Sequence, residues 1–405
     1  MTSKLKQQKC EVASLETVID TQRFLNSVQL FFQDVPDPRS KKNCKYSFSL
    51  LLFLMLLAVF SGANTIEGIH DYTVYKLEFL RELFGDKFTS PSYSTFWWIL
   101  TRMNPEAFAE AFAKWTRDCC ISNLAGKQLS LDGKSLRSAL DANGNCNTHI
   151  VHAWLHEQGL LIGQKKTDEK SNEITAIPAL LSQIDINGAT VTIDAAGCQK
   201  HIAEIIRRQG GDYLLAVKNN QPTLYREIVT LFQDARKDDF DYVLNCDIHE
   251  QIEKKSGCIE KRSVTIISDP SEISVADQWK DLETLVEVIN ETTSSKGKMT
   301  KETRYYIASL IESAEQIGAR ARAHWGIESM HWSLDVTFRE DESRANVLHG
   351  AVNFGTLRRA CMNMVKSDPG LKKLGFAKAR RLAMWGSDDV IIKKVIDSLF
   401  GVKSF

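Results

Sequence analysis

Between residues 128 and 235 the hydrophobic period switches in a fixed order, and that order constrains the fold more than any other feature of the chain. Gln128–Asp132 (QLSLD) is short and alternating. His149–His156 (HIVHAWLH) and Leu160–Gln164 (LLIGQ) follow, joined by the hairpin-like link Glu157-Gln158-Gly159. Glu173–Ile184 then spaces Ile174, Ile177, Leu180 and Leu181 as on a helix. Ala189–Ile193 (ATVTI) is a strand ending at Asp194, and Gln199–Arg208 is a helix closed by Gly210-Gly211. Tyr213–Val217 (YLLAV) is again a strand and Gln221–Ala235 again a helix. Antiparallel strands followed by helix, strand, helix and strand demand an α/β sheet covered by helices.

That order is the order of a ribonuclease-H-like core, so the expected fold class is α/β, with a ribonuclease-H-like catalytic core. Ahead of it the pattern is helical, which predicts an all-α N-terminal domain. Leu25, Val28, Leu30, Phe31 and Phe32 open it, and a turn at Pro36-Asp37-Pro38 carries Arg39, Lys41, Lys42 and Lys45. The run Leu50–Phe60 (LLLFLMLLAVF) is shorter than the ~18–20 residues a membrane span needs, and Asn64, Glu67 and His70 follow at once. It reads as a buried helix, with no membrane partner. Pro91–Thr95 reads as a turn and cap, and Pro105 starts a helix with Phe108, Phe112 and Trp115 on one face. Beyond the core, Tyr242–His249, Gly257–Ser268, Leu282–Ile289 and Arg304–Leu310 read as strands of a β-rich insertion. A long helix from Glu312 to Trp332 returns the chain to the core, and Val347–Val365 is a further helix. The expected organisation is a polar tail at 1–20, a helical domain at 21–122, a core made of 125–240 and 310–365, an insertion at 241–309, and a basic helical tail at 366–405.

Composition narrows the chemistry. Lys+Arg and Asp+Glu both total 51, so a globally basic nucleic-acid binder is excluded and any such contact must come from local clusters. The nine cysteines are odd in number and form no C-x-x-C pair, which argues against a disulfide framework and a structural zinc site and suits a reducing cytoplasm. The opening MTSKLKQQKCEVASLE lacks an apolar stretch and predicts no signal peptide.

Two acids stand where such a sheet brings strand ends together. Asp132 ends the first apolar strand and Asp194 the fourth, each followed by small or polar residues, Gly133-Lys134-Ser135 and Ala195-Ala196-Gly197. Converging carboxylates repel unless a cation lies between them, and an all-oxygen donor set selects a hard ion, Mg²⁺ or Mn²⁺. A third acid from a helix would complete paired metal sites suited to phosphodiester chemistry. Glu328 leads, because Arg320, His324 and Glu328 share a helix face with His331 adjacent. An i,i+4 surface ladder of the same residues is the competing reading, and Asp335, Glu340 and Asp341 are rival third acids.

With these residues in view, the chain resembles the H-repeat-associated (ISAs-type) insertion-sequence transposases of the DDE superfamily. The matching stretches are Leu131–Arg137 (LDGKSLR), Glu169–Ile174 (EKSNEI), Asp194–Gln199 (DAAGCQ), Leu215–Gln221 (LAVKNNQ), His324–Glu328 (HWGIE), His331–Val336 (HWSLDV) and Phe338–Asp341 (FRED). Asp37-Pro38-Arg39 and Pro91-Ser92 fit the helical domain that precedes the core in that family. The resemblance implies that Asp132, Asp194 and Glu328 are a metal-binding catalytic triad using Mg²⁺ or Mn²⁺. It implies cleavage at element ends and attack of the freed 3′-hydroxyl on target DNA. The partners would be double-stranded DNA, as terminal inverted repeats and target, bound by a homodimer in the bacterial cytoplasm in association with the nucleoid. A ribonuclease-H-like nuclease without strand transfer, or a domesticated DNA-binding relative, are the alternatives. Hairpin-forming members of the superfamily carry Tyr-x2-Arg-x3-Glu-x6-Lys at the third acid; those positions here hold Ala321, His324, Glu328 and Asp335, so only the acid is kept.

Further candidates for DNA contact are Lys134 and Arg137 after Asp132, Lys218 and Gln221 after the last core strand, and Arg320, Arg322 and His324 on the returning helix. Trp279 in the insertion could stack on an unpaired base, or lie in a core. His149, His152 and His156 suggest a zinc site, but His149 and His152 point to opposite faces of a strand and cannot converge without a bulge, so a structural role is the expected one. Cys198 reads as a small buried residue. The cluster Lys372, Lys373, Lys378, Arg380 and Arg381 could track a phosphate backbone or be a solvated helix face.

Overall fold

A computed structural model describes residues 32–385 except 41–43, 122, 138–147, 168–172, 238–239, 241–244, 256, 344 and 346, together with 391–393 and 396. The polar tail at 1–20, Leu25 to Phe31, Lys41, Lys42, the stretch Glu169–Asn172 and most of 386–405 therefore lie outside the described residues.

The chain builds a large mixed sheet with helices on both sides. Its strands are β1 (Gln128–Ser135), β2 (His149–Leu155), β3 (Leu160–Lys166), β4 (Thr190–Ile193), β5 (Asp212–Val217), β6 (Cys246–Lys255), β7 (Cys258–Ile267), β8 (Thr284–Thr293) and β9 (Met299–Ala308). They lie in the order β3-β2-β1-β4-β5-β9-β8-β7-β6. β1, β4 and β5 run parallel, while β2, β3 and all the strands beyond β5 pair antiparallel. The strands expected between 241 and 309 thus extend the same sheet rather than forming one of their own. They also run further into polar sequence than alternation alone suggested, because the tips of these hairpins are solvent-facing and carry no apolar period.

Helices α1 (Phe48–Phe60), α2 (Ile66–Tyr75), α3 (Leu77–Phe84), α4 (Tyr93–Arg102) and α5 (Pro105–Cys120) precede the sheet. Ser47 caps α1 by accepting from the Leu50 N–H at 3.2 Å, and every residue from Leu51 to Phe60 is buried. No helix among the described residues is long and apolar enough to cross a membrane. α6 (Glu173–Leu181), α7 (Lys200–Arg208) and α8 (Pro222–Lys237) cover one sheet face. The other face receives α9 (Ala314–Ala323), α10 (Trp325–Val336) and α11 (Gly350–Ser367), with α12 (Pro369–Leu374) and α13 (Phe376–Trp385) following. One apolar cluster joins α1, α4 and α5 to α10, α11 and the β2–β3 residues Trp154 and Leu161.

Two local expectations need correction. Asp132 does not end its strand: β1 continues through Ser135, held by antiparallel pairing of Asp132 with His152 and of Ser135 with His149. The helix expected from Glu312 to Trp332 is broken at His324, whose ring turns to the sheet, 2.8 Å from Thr192 Oγ1.

Candidate active site

Parallel pairing of Leu131 with Ile193 sets the next residues, Asp132 and Asp194, side by side. Glu328 enters from the first turn of α10, and the three acids line one cavity of about 640 Å³ together with Lys218, Arg304 and Trp325. Asp132 Oδ1 accepts from the Gly133 N–H at 2.9 Å. Asp194 Oδ1 accepts from the N–H groups of Ala196 at 3.1 Å and Gly197 at 3.3 Å, so the small residues after it form a turn that orients the carboxylate. Burial pushes the Asp132 carboxyl up to about 7, reinforced by the charges of Asp194, Glu173 and Glu328. Asp194 is raised as well, by burial and then by Glu173, with Lys218 opposing.

Among the described residues, no group of three or more His, Cys, Asp or Glu side chains is drawn close enough to hold a metal ion. The three cavity acids nonetheless suit one in their chemistry. Their donors are oxygens only, which matches Mg²⁺ or Mn²⁺, and the proton that Asp132 keeps near neutrality is the charge a cation would replace. The rival acids are placed elsewhere. Asp335, Asp341 and Glu340 surround the Lys134 ammonium at 2.5, 3.5 and 3.8 Å.

The side chains expected at DNA divide into two groups. Lys218 is exposed on the cavity wall, and Arg137 is exposed beyond β1 with Asp341 3.8 Å from its Nε. The rest are engaged within the protein. Lys134 is buried among the carboxylates just named, which does not match a phosphate-holding role. Gln221 Nε2 donates to the Cys198 carbonyl at 3.0 Å. Arg320 makes a bidentate pair with Glu312 at 2.6 and 2.7 Å, and Arg322 reaches Glu253 at 2.9 Å. His324 is held neutral, its pKa lowered to about 4 by burial and the Arg304 charge. The ladder from Arg320 to His324 to Glu328 is therefore absent, because the first two side chains turn to Glu312 and Thr192. Trp279 is 2% exposed and belongs to the core, so it cannot meet a base. Cys198 is buried, and burial raises its thiol. Arg380 of the C-terminal cluster is also buried, donating to the carbonyls of Val59 at 3.1 Å and of Thr337.

Sequence reasoning named His331 beside the Glu328 face and Glu173 within a matching stretch, but gave neither of them its contacts. Glu173 pairs with His149 at 2.8 Å, packed so close to β1 that a Cβ on Gly133 would sit 2.0 Å from its carboxylate. His331 stands 3.5 Å from Asp132 and is bonded to His152, which in turn is bonded to Arg359. A readable sign existed in Arg358-Arg359, two charges in the middle of an otherwise core-like helix.

The chain belongs to the DDE transposases. The family model described as "Transposase DDE domain" matches residues 127–364, and "DDE_Tnp_1-associated" matches 30–116. Its relatives include the "H repeat-associated putative transposase YhhI" of Escherichia coli K12, 35% identical over 86% of this chain and 93% of that protein. "Putative protein YbfL" of the same strain matches equally, at 35% over the same shares. The "Putative transposase YncI" of Escherichia coli O157:H7 is 32% identical over 89% of this chain and 92% of its own length. The resemblance carried by the sequence stretches is thus to the right family.

Proposed function

We propose that this protein is a metal-dependent transposase that cleaves the ends of its element and joins the freed 3′-hydroxyl strand to target DNA. The observation that carries this is the shared cavity of Asp132, Asp194 and Glu328, with the Asp132 carboxyl driven toward neutrality by burial and then by the charges of the neighbouring acids. Strand order β3-β2-β1-β4-β5 supports reading 125–240 and 310–365 as a ribonuclease-H-like core, with 241–309 inserted at its edge. Helices within 21–122 and the basic tail at 366–405 would serve binding of the terminal repeats. When bound, paired Mg²⁺ or Mn²⁺ ions activate the attacking oxygen and stabilise the leaving one. Asp132 and Asp194 would hold such ions from the sheet and Glu328 from α10. Lys218, exposed on the cavity wall, and Arg137, exposed beyond β1, would hold backbone phosphates of double-stranded DNA, and Trp325, its ring 4.5 Å from the Arg304 guanidinium, presents an exposed aromatic face in the cavity lined by Lys218. A homodimer in the bacterial cytoplasm, at the nucleoid, would pair two element ends.

A labelled DNA ending in the element's cleaved 3′ terminus, mixed with plasmid, protein and Mn²⁺, should yield joined product. Asp132→Asn, Asp194→Asn and Glu328→Gln should each lower the rate at least ~10³-fold while repeat binding persists. Nicks without joined product would instead identify a nuclease, and parental activity in vivo for these variants would identify a DNA-binding protein without catalysis.

A further inference from the structure

Behind Asp132, on the side of α10 and α11, lies a line of buried side chains that the chemistry above does not use. Arg359 of α11 is fully buried, and its Nε–H donates to His152 Nε2 at 2.9 Å. A guanidinium has no acceptor, so Nε2 of His152 must present its lone pair and the ring's proton must sit on Nδ1. That N–H faces His331 Nε2 at 2.8 Å. His331 therefore accepts on Nε2 and carries its own proton on Nδ1, the atom 3.5 Å from Asp132 Oδ2. The arginine at one end thus decides the tautomer of both rings. Neither ring has room for a second proton in this arrangement, because each Nε2 is already taken as an acceptor, from Arg359 in His152 and from His152 in His331.

The other side of the chain is faced by charge rather than by a close hydrogen bond. Arg359 Nη2 faces Glu340 at 3.4 Å, and Glu340 also faces Lys134. Gly355 makes the room, since a Cβ there would lie 2.6 Å from Arg359 Nη1 and 3.0 Å from Glu340 Oε1. At Asp132 both oxygens are addressed, Oδ1 by the Gly133 N–H and Oδ2 by the ring of His331. Each oxygen keeps a further lone pair for a cation.

We propose that Arg359, His152 and His331 form a one-way hydrogen-bond chain that turns the His331 Nδ1–H toward Asp132, with His331 a positioning residue that holds this carboxylate ready for a divalent cation. The inference rests on the reading of Asp132 as a metal ligand. Outer contacts of this kind orient a ligand and typically change metal affinity ~10–100-fold when removed.

The test uses the full chain, metal-free and labelled with ¹⁵N at histidine. Long-range proton–nitrogen spectra near neutral pH should give His152 and His331 as Nδ1–H tautomers, assigned through single substitutions. Either ring protonated at Nε2, or doubly protonated, overturns the chain. Mn²⁺ binding followed by electron paramagnetic resonance should weaken ~10–100-fold in His331→Phe. His331→Asn, whose amide can still donate toward Asp132, should recover most of that loss. A folded His331→Phe protein that binds Mn²⁺ like the parent overturns the proposal. If that variant does not fold, the tautomers of the unaltered protein still decide. Asp132→Asn separates the two readings: undiminished Mn²⁺ binding there refutes Asp132 as a ligand, whatever the tautomers.

Discussion

Asp132 is a carboxylate whose surroundings favour its neutral form. Unfolded, it titrates near 3.8; folded without metal, burial and Asp194 push it up to about 7. Between those values the folded chain holds a proton that the unfolded chain has released, so this stabilising contribution is present at low pH and is lost as pH rises through about 7. Asp132→Asn removes the charge and should raise the melting temperature of the metal-free protein at pH 8, by an amount equivalent to roughly 1–4 kcal/mol, with little change at pH 4. Equal effects at the two pH values in thermal scans would refute the assigned cause. Asp132 and Asp194 were legible as a pair because both follow apolar alternation and precede small residues. The role of Lys134 was not legible. Its ammonium faces carboxylates about 200 positions away in the chain, and no local spacing reports such a contact.

At the scale of elements, α11 differs most from its sequence appearance. The segment reads simply as a further helix carrying two adjacent arginines, yet Arg358 and Arg359 are among the largest fully buried side chains. Their Nε–H groups are satisfied, by the Phe338 carbonyl 3.1 Å from Arg358 and by His152 for Arg359. The Glu340 carboxylate offsets the buried charge at 3.4 Å, while the Nη groups have no hydrogen-bond partner among the described residues. Gly355 is part of that arrangement. On an open helix Gly→Ala stabilises by up to about 1 kcal/mol. Here Gly355→Ala should destabilise by about 1–3 kcal/mol in urea unfolding, since its Cβ meets a held guanidinium. A gain in stability would show that Arg359 is free to move. The nine strands were mostly legible as segments, because alternation and turn residues are local properties. Their ends were not, where hairpin tips are polar and pairing alone extends them.

For the whole molecule, the governing fact is the shared apolar cluster that ties α1, α4 and α5 to α10, α11 and one sheet face. The helical segment before the sheet supplies much of that face's cover. Removing residues 1–121 should leave Trp154, Leu161 and the inner sides of α10 and α11 exposed to water. The truncated chain should bind hydrophobic dyes and aggregate, whereas a soluble fragment with a cooperative melt would refute the shared core. With acid and base totals equal, any contact with a polyanion must be local, and the exposed Lys218 on the wall of the acids' cavity is one such charge.

The sequence by itself determined the succession of strands and helices, the all-round burial of α1 and the three acids worth testing, because periodicity and residue chemistry act over a few positions. Only the tertiary structure decided which charges face water and which face each other. Lys134 turning inward, Glu173 against Gly133, and the line from Arg359 to Asp132 each join residues distant in the chain. In a packed interior such pairings are set by the register of strands and the seating of helices, and those depend on the whole core at once.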